Sequence, residues 1–599
     1  MDFLKNLKIT NDPNRKQVDE PEFYKEVIFK GSELLDLEYE PVFDFFTEKT
    51  GKKIANSHKV LNGDFVTTED GTGIVHIAPG FGEDDFNVCK KNKIDVVCPV
   101  DDGGCFNIDE KYDDIKYKLL DREEVLHLNG KQVFETNDDI IKYLKSKNLW
   151  VKTEQYLHNY PHCWRTDTPL IYKAVSSWYV NVVDKVLENN SGEKESIKDR
   201  MCELNQQINW IPEHVKDGQF GKWIQNARDW SITRNRFWGA PVPVWRIGND
   251  NKTAKVFGSI KDLENFFKDD YIADYKAGKN SGKYIQDKNN PEGSFKINDL
   301  HRPYIDELIK HTNEGDLKRV EDVLDCWFES GSMPYAQVHY PFEYKDGNGN
   351  LIRTAEENKK WFDMHFPCDF VTEYVAQTRG WFYTMVVLAS ALFRNIPFKN
   401  VICHGVMLDA NGQKLSKRLR NYPDPLEMID IYGSDAMRWL MASSPITQGG
   451  DMRIDKDGKM IADVVKNILN PIWNAFFFYK QYAELDKIKI KGEINSNNVM
   501  DKYILSKLKQ FVENFETSMD NYNTINACHE VELLIDVLNN WYIRRNKDRF
   551  WKKEHDKDKQ NAYETLHYVL KNFSLAVAPI LPFLSDNIFT EIGKFEQIN

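Results

Sequence analysis

The spacing of apolar residues divides the chain into regions of different character. Residues 1 to about 150 contain short β-branched runs separated by Gly-Asp and Asp-Gly turns, as in HKVLNGDFVTTEDGTGIVHIAPGFGEDDF. Short apolar runs bounded by such turns are typical of strands joined by loops. The pattern therefore predicts a β-rich domain at the start of the chain.

The middle of the chain contains a strand, a helix and a second strand in succession. The segment Asp369 to Arg394 begins with an extended stretch and continues as an apolar run too long for a strand, and Asn400 to Leu408 reads as the second strand. Strand, helix and strand in this order form the βαβ unit of a parallel sheet, whose ligands bind at the C-terminal ends of the strands. A ligand site is therefore expected just after Leu408.

Long amphipathic helices are predicted after about residue 455. Apolar residues recur there three and four positions apart, which places them on one face of a helix. One stripe contains Ile504, Leu505, Leu508, Phe511, Val512 and Phe515, and another contains Leu534, Val537, Leu538, Trp541 and Tyr542. The pattern predicts an α-helical bundle.

The segment Lys252 to Asp299 is polar and rich in Gly, Lys and Asn. Such a composition favours a peripheral, partly flexible insertion over a packed element. We therefore expect the middle domain to be interrupted there.

Composition restricts the class of protein. A length of 599 residues suggests about three to five domains, and 41% hydrophobic with 29% charged residues is typical of globular proteins. The net charge of −13 argues against a general nucleic-acid coat protein, although local basic patches remain possible. No apolar run is long enough for a membrane span, so no membrane partner is expected.

The cysteines indicate a reducing compartment. Nine cysteines are scattered without a CxxC pair, which favours reduced thiols and a cytoplasmic protein. His158, His162 and Cys163 lie close in sequence but lack a fourth partner at zinc-ligand spacing. No metal site is predicted.

The expected ligand position is occupied by the basic stretch NGQKLSKRLRN, Asn411 to Asn421. Lys414, Ser416 and Lys417 follow Gly412, where a freely turning backbone can bring two ammonium groups onto one polyanion. Lysine suits a pyrophosphate leaving group, whose negative charge grows during transfer. The stretch therefore predicts a phosphate site, the alternative being a solvated surface loop.

The segment KLSKR at 414–418 resembles the KMSKS motif of class I aminoacyl-tRNA synthetases, with Leu for Met and Arg for the final Ser. The blocks NARDWSITRNRFWGAPVPVW, EDVLDCWFESGSMPYAQVHYPFE and TRGWFYT are similar to the isoleucyl branch in its eukaryote-like cytoplasmic form. The resemblance runs from about residue 25 to the C-terminus and is weakest in the polar insertion. It implies ATP-dependent activation of isoleucine to the adenylate and transfer to tRNA(Ile).

The resemblance also implies roles for individual residues. Lys414 and Lys417, with Ser416, would act on the pyrophosphate of ATP, whose Mg²⁺ would bridge phosphate oxygens. Matches to the family place Glu373 at the adenylate ribose, Gln377 near the amino acid, and His404 with Gly405 against adenine. No tightly bound metal is implied, and other synthetases are expected as further partners.

The family's His-Ile-Gly-His motif does not occur in the sequence. In the family that motif precedes an editing insertion, inside which this chain would begin, and the helical bundle would also end early. We therefore expect a chain truncated at both ends that has little activity alone. A non-catalytic tRNA-binding fragment and a stand-alone editing hydrolase are the alternatives.

Editing is implied by GTGIVHIAPGFGEDDF, Gly71 to Phe86, which resembles the pocket that hydrolyses mischarged valine. Asp85 matches the aspartate that holds the α-ammonium group of the misacylated amino acid, and His76 matches a histidine of the same pocket. A second site is needed because one missing methylene gives only about 1–3 kcal/mol of discrimination, for which the isoleucine enzyme is the standard example.

The resemblance implies a tRNA surface on the helical bundle, formed by Arg544, Arg545, Lys547 and Arg549, whose side chains suit phosphate contacts. The expected fold is a multidomain α/β protein. It would comprise a partial β-rich editing domain at 1–155, the second half of a Rossmann-type catalytic domain at 156–455 with the insertion near 252–299, and a partial α-helical anticodon-binding domain at 456–599.

Overall fold

The protein is represented by a computed structural model. The structure describes residues 30–42, 46–48, 54–67, 73–107, 117–119, 127–155, 157–163, 166–189, 191–492 and 494–596. Two compact units make up the chain, Met1–Ser176 and Ser177–Asn599.

The first unit has more helix in its described residues than the sequence pattern predicts. Strand Phe46–Glu48 pairs antiparallel with Tyr117–Leu119, while the α-helices are Glu83–Lys91 and Asn137–Ser146. Three acidic residues occupy the first turn of Glu83–Lys91 and two lysines the last, which complements the helix dipole. This charge order explains why the GEDDF end of the expected loop is helical.

A three-stranded parallel sheet lies in the second unit, with Cys368–Tyr374 next to Phe398–His404 and Asn209–Ile211 on the far side. The helix Trp381–Phe393 connects the first two strands, and nine of its residues are buried. The predicted βαβ unit is therefore confirmed. Its continuous apolar run reflects a helix that packs into the core beside the sheet.

The predicted second strand ends earlier than expected. It spans Phe398–His404, and Met407–Asp409 belongs to a separate parallel pair with Met452–Ile454. Gly405 separates the two, because a Cβ atom there would lie 1.9 Å from the carbonyl oxygen of Gly450. Only glycine allows this approach of two backbones.

The polar insertion belongs to a folded subdomain with its own core, so the segment is a packed element. The subdomain contains a four-stranded antiparallel sheet, whose strands lie in the order Asp250–Val256, Val244–Ile247, Gly315–Arg319 and Lys310–Thr312. Helix Ile260–Lys276 contributes Phe267 and Tyr271 to a core with Trp245. The few apolar residues of the segment are spaced so that they lie on one face of the helix. The average polarity of the segment does not reveal this spacing.

The sheet is surrounded by shorter elements. The remaining strand pairs are antiparallel: Tyr179–Val180 with Trp230–Ser231, Leu187–Glu188 with Lys194–Glu195, Thr233–Arg234 with Val323–Leu324, and Tyr344–Lys345 with Leu351–Arg353. The helices are Ile197–Asn205, Gly221–Gln225, Cys326–Gly331, Met333–Ala336, Ala355–His365, Pro425–Tyr432, Ser434–Ala442 and Lys459–Val464.

The C-terminal part is the predicted helical bundle. Its α-helices are Asn470–Leu485, Val499–Asp520, Thr524–Asp536, Lys547–Trp551, Lys557–Val577 and Pro582–Gly593. The first apolar stripe faces the core throughout. In the second stripe Trp541 is instead 46% exposed, because the wider π-helical turn Val537–Ile543 shifts the phase of the face.

Candidate functional site

The two central strands of the parallel sheet place candidate residues side by side. Tyr374 pairs in register with His404, and Glu373 pairs with Cys403 one position earlier. Glu373 is exposed, and its carboxylate accepts a hydrogen bond from the amide of Tyr374 at 3.0 Å. The sheet therefore brings Glu373 and His404 to one C-terminal edge, where α/β proteins bind ligands.

His404 and Gly405 leave the sheet through a tightly held exit. The amide of Gly405 donates to the carbonyl of Ile446 at 2.9 Å, and Nδ1 of His404 lies 2.9 Å from the carbonyl oxygen of Gly405. The imidazole is half-buried. The ring and backbone are thus fixed at the strand end.

Gln377 lies on the 3₁₀ turn Val375–Arg379 that follows the Cys368–Tyr374 strand. Its Oε1 accepts from the amide of Trp381 at 3.0 Å, which satisfies a free donor at the start of the buried helix. Gly380 leaves room for this contact, since a Cβ there would meet Oε1 at 2.5 Å. Gln377 therefore has a definite structural role at the site edge.

The basic stretch, here called the lysine loop (Ala410–Asn421), is organised around the buried side chain of Asp409. Its carboxylate accepts hydrogen bonds from the amides of Asn411 and Gln413 and from the side chain of Asn421. The bond from Asn421 is the main cause that holds the pKa of the Asp409 carboxyl below its usual range. An acid-centred turn thus fixes the base of the loop.

Ser416 completes this scaffold. Its amide donates to Oδ1 of Asn421 at 3.0 Å, and its hydroxyl oxygen accepts from the amide of Arg418 at 3.2 Å. Asn421 was not among the residues predicted from the sequence, although an Asp-Ala-Asn-Gly turn followed by a second Asn is visible there. Ser416 contributes through loop geometry.

The lysines of the loop are exposed and close to the strand ends. Nζ of Lys414 lies 5.1 Å from the ring centroid of Tyr374, which itself lies 6.1 Å from the imidazole centroid of His404. Lys417 is exposed further along the loop. Within the described part of the chain, neither ammonium group has a carboxylate within 4.0 Å. The site therefore combines uncompensated positive charge, an aromatic ring, a carboxylate and an imidazole at one sheet edge.

In the first unit, Asp85 holds a glycine-rich bend. Its carboxylate accepts from the amide of Ala78 at 3.0 Å, and a Cβ at Gly82 would lie 2.9 Å from the same carboxylate. Burial, followed by the charge of Asp85, raises the pKa of the Cys89 thiol. His76 is exposed on the segment before the bend. The hydrogen bond from Ala78 thus ties Asp85 to the backbone of the glycine-rich bend, which follows His76 in the chain.

The basic surface of the bundle has two members stacked on exposed tryptophans. The guanidinium carbon of Arg545 lies 3.9 Å from the Trp541 ring centroid, and Nζ of Lys547 lies 5.5 Å from that of Trp551. Arg544 and Arg545 are exposed, and Lys547 is half-buried.

Arg549 does not belong to that surface. Its guanidinium donates to both carboxylate oxygens of Asp501 at 2.7 and 2.8 Å and to Asp558 at 2.8 Å, and the Asp501 side chain is fully buried. Burial opposes the charge, but the hydrogen bonds that Arg549 donates to these carboxylates raise the pKa of Arg549 above its usual value. The prediction that Arg549 contacts RNA is therefore wrong, because its donors are used inside the bundle.

Metal-binding clusters and membrane-spanning helices are both absent from the residues that the structure describes. Within the described ranges, no group of three or more His, Cys, Asp or Glu side chains could hold a metal ion. Over the same residues, no helix has both the length and the apolar character needed to cross a bilayer.

Comparison with known families matches most of the chain. A model of the tRNA synthetases class I (I, L, M and V) matches residues 83–455. A model of the anticodon-binding domain of tRNA ligase matches residues 501–598. The two matches cover the sheet with its lysine loop and the helical bundle respectively.

Curated relatives are also similar over most of the chain. Isoleucine--tRNA ligase of Rickettsia peacockii (strain Rustic) is 50% identical over 579 residues, which is 96% of this chain and 46% of that protein. The ligase of Rickettsia bellii (strain OSU 85-389) is 52% identical over 571 residues, or 94% and 45%. The chain therefore spans about half the length of these relatives.

Solved structures align at lower similarity. Mycobacterium tuberculosis methionyl-tRNA synthetase in complex with methionyl-adenylate has a TM-score of 0.46 and 14% identity, over 72% of this chain and 66% of that chain. The ternary complex of Agrobacterium radiobacter K84 agnB2 LeuRS-tRNA-LeuAMS has a TM-score of 0.41 and 16% identity, over 61% and 40%.

Proposed function

Because the chain belongs to the class I tRNA synthetases of the I, L, M and V group, we propose that it serves in an isoleucine--tRNA ligase. The amino-acid specificity is supported by the relatives at 50–52% identity, which are named isoleucine--tRNA ligases. The observation that supports nucleotide activation is the lysine loop, which places Lys414 beside the strand ends of Glu373 and His404.

In the proposed reaction the carboxylate of isoleucine attacks the α-phosphate of ATP, which forms the adenylate and releases pyrophosphate. Lys414 and Lys417 would bind the β- and γ-phosphates and stabilise the charge that develops on the leaving group. Mg²⁺ would arrive with ATP and neutralise phosphate oxygens. Because both ammonium groups are exposed and have no carboxylate partner in the described chain, no ion pair has to be broken.

The strand ends would orient the adenosine. The Glu373 carboxylate can accept from both ribose hydroxyl groups, since ionised carboxylates offer acceptors only. Adenine would lie against the His404–Gly405 backbone, where the missing side chain of Gly405 already permits contact with Gly450. Gln377, anchored through Trp381, would face the amino-acid end.

Binding of tRNA(Ile) is proposed for the bundle surface of Arg544, Arg545 and Lys547. Positive charges on helices suit phosphate contacts, which position RNA without reading its sequence. We also propose that the Asp85 loop edits valine, with Asp85 and His76 in contact with the misacylated amino acid. The eukaryote-like type, a cytoplasmic location and association with other synthetases are parts of the same proposal.

The proposed specificity can be tested by binding, without catalysis by the chain. Calorimetry would compare non-hydrolysable isoleucyl-, valyl- and leucyl-adenylate analogues. We expect the isoleucyl analogue to bind tightest, with an advantage over valyl of about 10- to 200-fold. Equal affinities would remove the isoleucine assignment.

A glycine pair provides the matched control for this test. Gly405→Ala should abolish binding of all three analogues, because the new methyl group collides with the Gly450 carbonyl. Gly258→Ala should leave binding unchanged, since a Cβ at Gly258 meets nothing within 4 Å. Loss of binding in both variants would contradict the assigned site.

A further inference from the structure

Tyr522 adopts a backbone conformation that tyrosine rarely occupies. The helix Val499–Asp520 ends in a Schellman motif, in which the amide of Tyr522 donates to Met519 and the amide of Asn523 to Ser518. Tyr522 occupies the left-handed position with φ of 56°, where glycine or asparagine is usual. Such outliers persist where the side chain or its surroundings are needed.

The side chain of Tyr522 contacts the catalytic sheet. Its ring stacks on that of Phe370 with centroids 5.2 Å apart and an interplanar angle of 11°. Phe370 belongs to the Cys368–Tyr374 strand, which ends in Glu373 and Tyr374. The turn between two bundle helices therefore touches a strand that forms the nucleotide site.

The same bundle turn also holds a second segment, here called the support turn (Pro445–Asp451). The side-chain amide of Gln448 donates to the carbonyl of Tyr522 at 3.2 Å, and the hydroxyls of Thr447 and Thr524 lie 3.0 Å apart. Three independent contacts thus join the bundle turn to the sheet and to the support turn.

The support turn also holds the backbone that follows the Phe398–His404 strand. The Ile446 carbonyl accepts from the amide of Gly405 at 2.9 Å, and the carboxylate of Asp451 accepts from the amide of Val406 at 3.2 Å. The Gly450 carbonyl lies where a Gly405 side chain would be. Displacement of the support turn would therefore release the His404–Gly405 backbone.

We propose that Tyr522 is a positioning residue for the nucleotide site. Its ring packs on Phe370 in the strand of Glu373, and its main-chain carbonyl accepts from Gln448 of the support turn behind His404 and Gly405. The helical bundle thereby sets the geometry of the strand ends, in addition to binding RNA. What the strand ends bind rests on the proposed function, whereas the joint itself is a property of the fold.

Hydrogen exchange of the nucleotide-free chain tests the joint directly. Tyr522→Asn removes the ring but tolerates the left-handed backbone, and Gln448→Leu removes the amide donor at similar volume. We expect exchange at the amides of Gly405 and Val406 to rise about five- to tenfold in each variant, the effect of losing one contact of ordinary strength. Tyr522→Phe should exchange like the wild type.

Two internal controls distinguish a local effect on Gly405 from a general loss of stability. The amides of Val401 and Ile402 in the sheet interior should keep their exchange rates in every variant. Asn526→Ala, which removes a hydrogen bond to Ser518 within the bundle, should leave Gly405 unchanged. Unchanged exchange at Gly405 in Tyr522→Asn, or an equal rise at Val401, would overturn the proposal.

Addition of ATP and Mg²⁺ to the same samples separates this inference from the proposed function. Slower exchange at Gly405 in the wild type is the result that the proposed function expects. If nucleotide has no effect while Tyr522→Asn still loosens Gly405, the proposed function fails and the joint stands. If nucleotide protects Gly405 and Tyr522→Asn has no effect, the joint fails alone.

Discussion

The ammonium group of Lys414 lies over the ring of Tyr374, with Nζ 5.1 Å from the ring centroid. A cation held over an aromatic face is attracted by the ring quadrupole. Tyr374 is the last residue of its strand and the in-register neighbour of His404. The lysine loop is therefore in contact with the sheet edge.

This contact predicts a moderate role for Tyr374 in nucleotide affinity. Tyr374→Leu should weaken ATP–Mg²⁺ binding about two- to fivefold, because an exposed cation–π contact contributes roughly 0.5–1 kcal/mol. Tyr374→Phe keeps the ring face and should bind like the wild type. Calorimetric titration gives both affinities, and an equal loss in the two variants would rule out the aromatic contact.

Substitutions of Arg549 and Arg545 in the bundle should differ in their effect on the free energy of unfolding. Arg549→Met should lower the free energy of unfolding by about 3–5 kcal/mol, because it leaves the buried Asp501 carboxylate without its partner. Arg545→Met, at an exposed position, should cost less than about 1 kcal/mol. Urea unfolding followed by circular dichroism measures both changes.

The same pair separates stability from RNA binding. Arg545→Met should reduce the slope of log affinity against log salt concentration for tRNA(Ile) by about one. Filter binding at several salt concentrations gives this slope. An unchanged slope would mean that Arg545 makes no phosphate contact.

His311, on the strand Lys310–Thr312 of the subdomain that contains the insertion, predicts a pH-dependent contribution to stability. Its ring nitrogens lie 2.7 Å from Asp316 and 3.0 Å from Asp274, and these carboxylates, Asp316 first, raise the pKa of His311. A raised folded pKa stabilises the protein fully below the unfolded value of about 6.5 and loses its effect as pH rises through the folded value.

The consequence is measurable as a difference between variants. The melting temperature of the wild type should exceed that of His311→Gln at about pH 5.5, and the difference should shrink toward pH 8.5. Thermal scans across this range check the direction. A difference that grows with pH would show that the carboxylates do not stabilise the charged imidazole.

Features set by local sequence pattern were predictable. The apolar run of Trp381–Phe393 can only be a buried helix, and the stripe from Ile504 to Phe515 shows its helical period directly. A helix that connects two neighbouring strands of one sheet forms a right-handed crossover, and the two strands are then parallel. The strand ends and the lysine loop were located from these rules.

Features set by contacts between distant residues were not predictable. The strand break at Gly405 depends on Gly450, which lies 45 positions later, and Arg549 is removed from the surface by Asp501. The folded state of the insertion depends on where a few aromatic residues meet, which average polarity does not reveal. In each case contacts between residues far apart in the sequence determine a structure that the local sequence pattern does not predict.

The proposed binding of the pyrophosphate part of ATP by the lysine loop can be measured by calorimetry with Mg²⁺–pyrophosphate and Mg²⁺–ATP. We expect Lys414→Ala and Lys417→Ala each to weaken both ligands by at least about tenfold, since a hydrogen bond to a charged group contributes roughly 1.5–3 kcal/mol. Lys456→Ala, an exposed lysine outside the loop, should bind normally. Affinities of both loop variants within about twofold of the wild type would show that the lysine loop does not bind the pyrophosphate group.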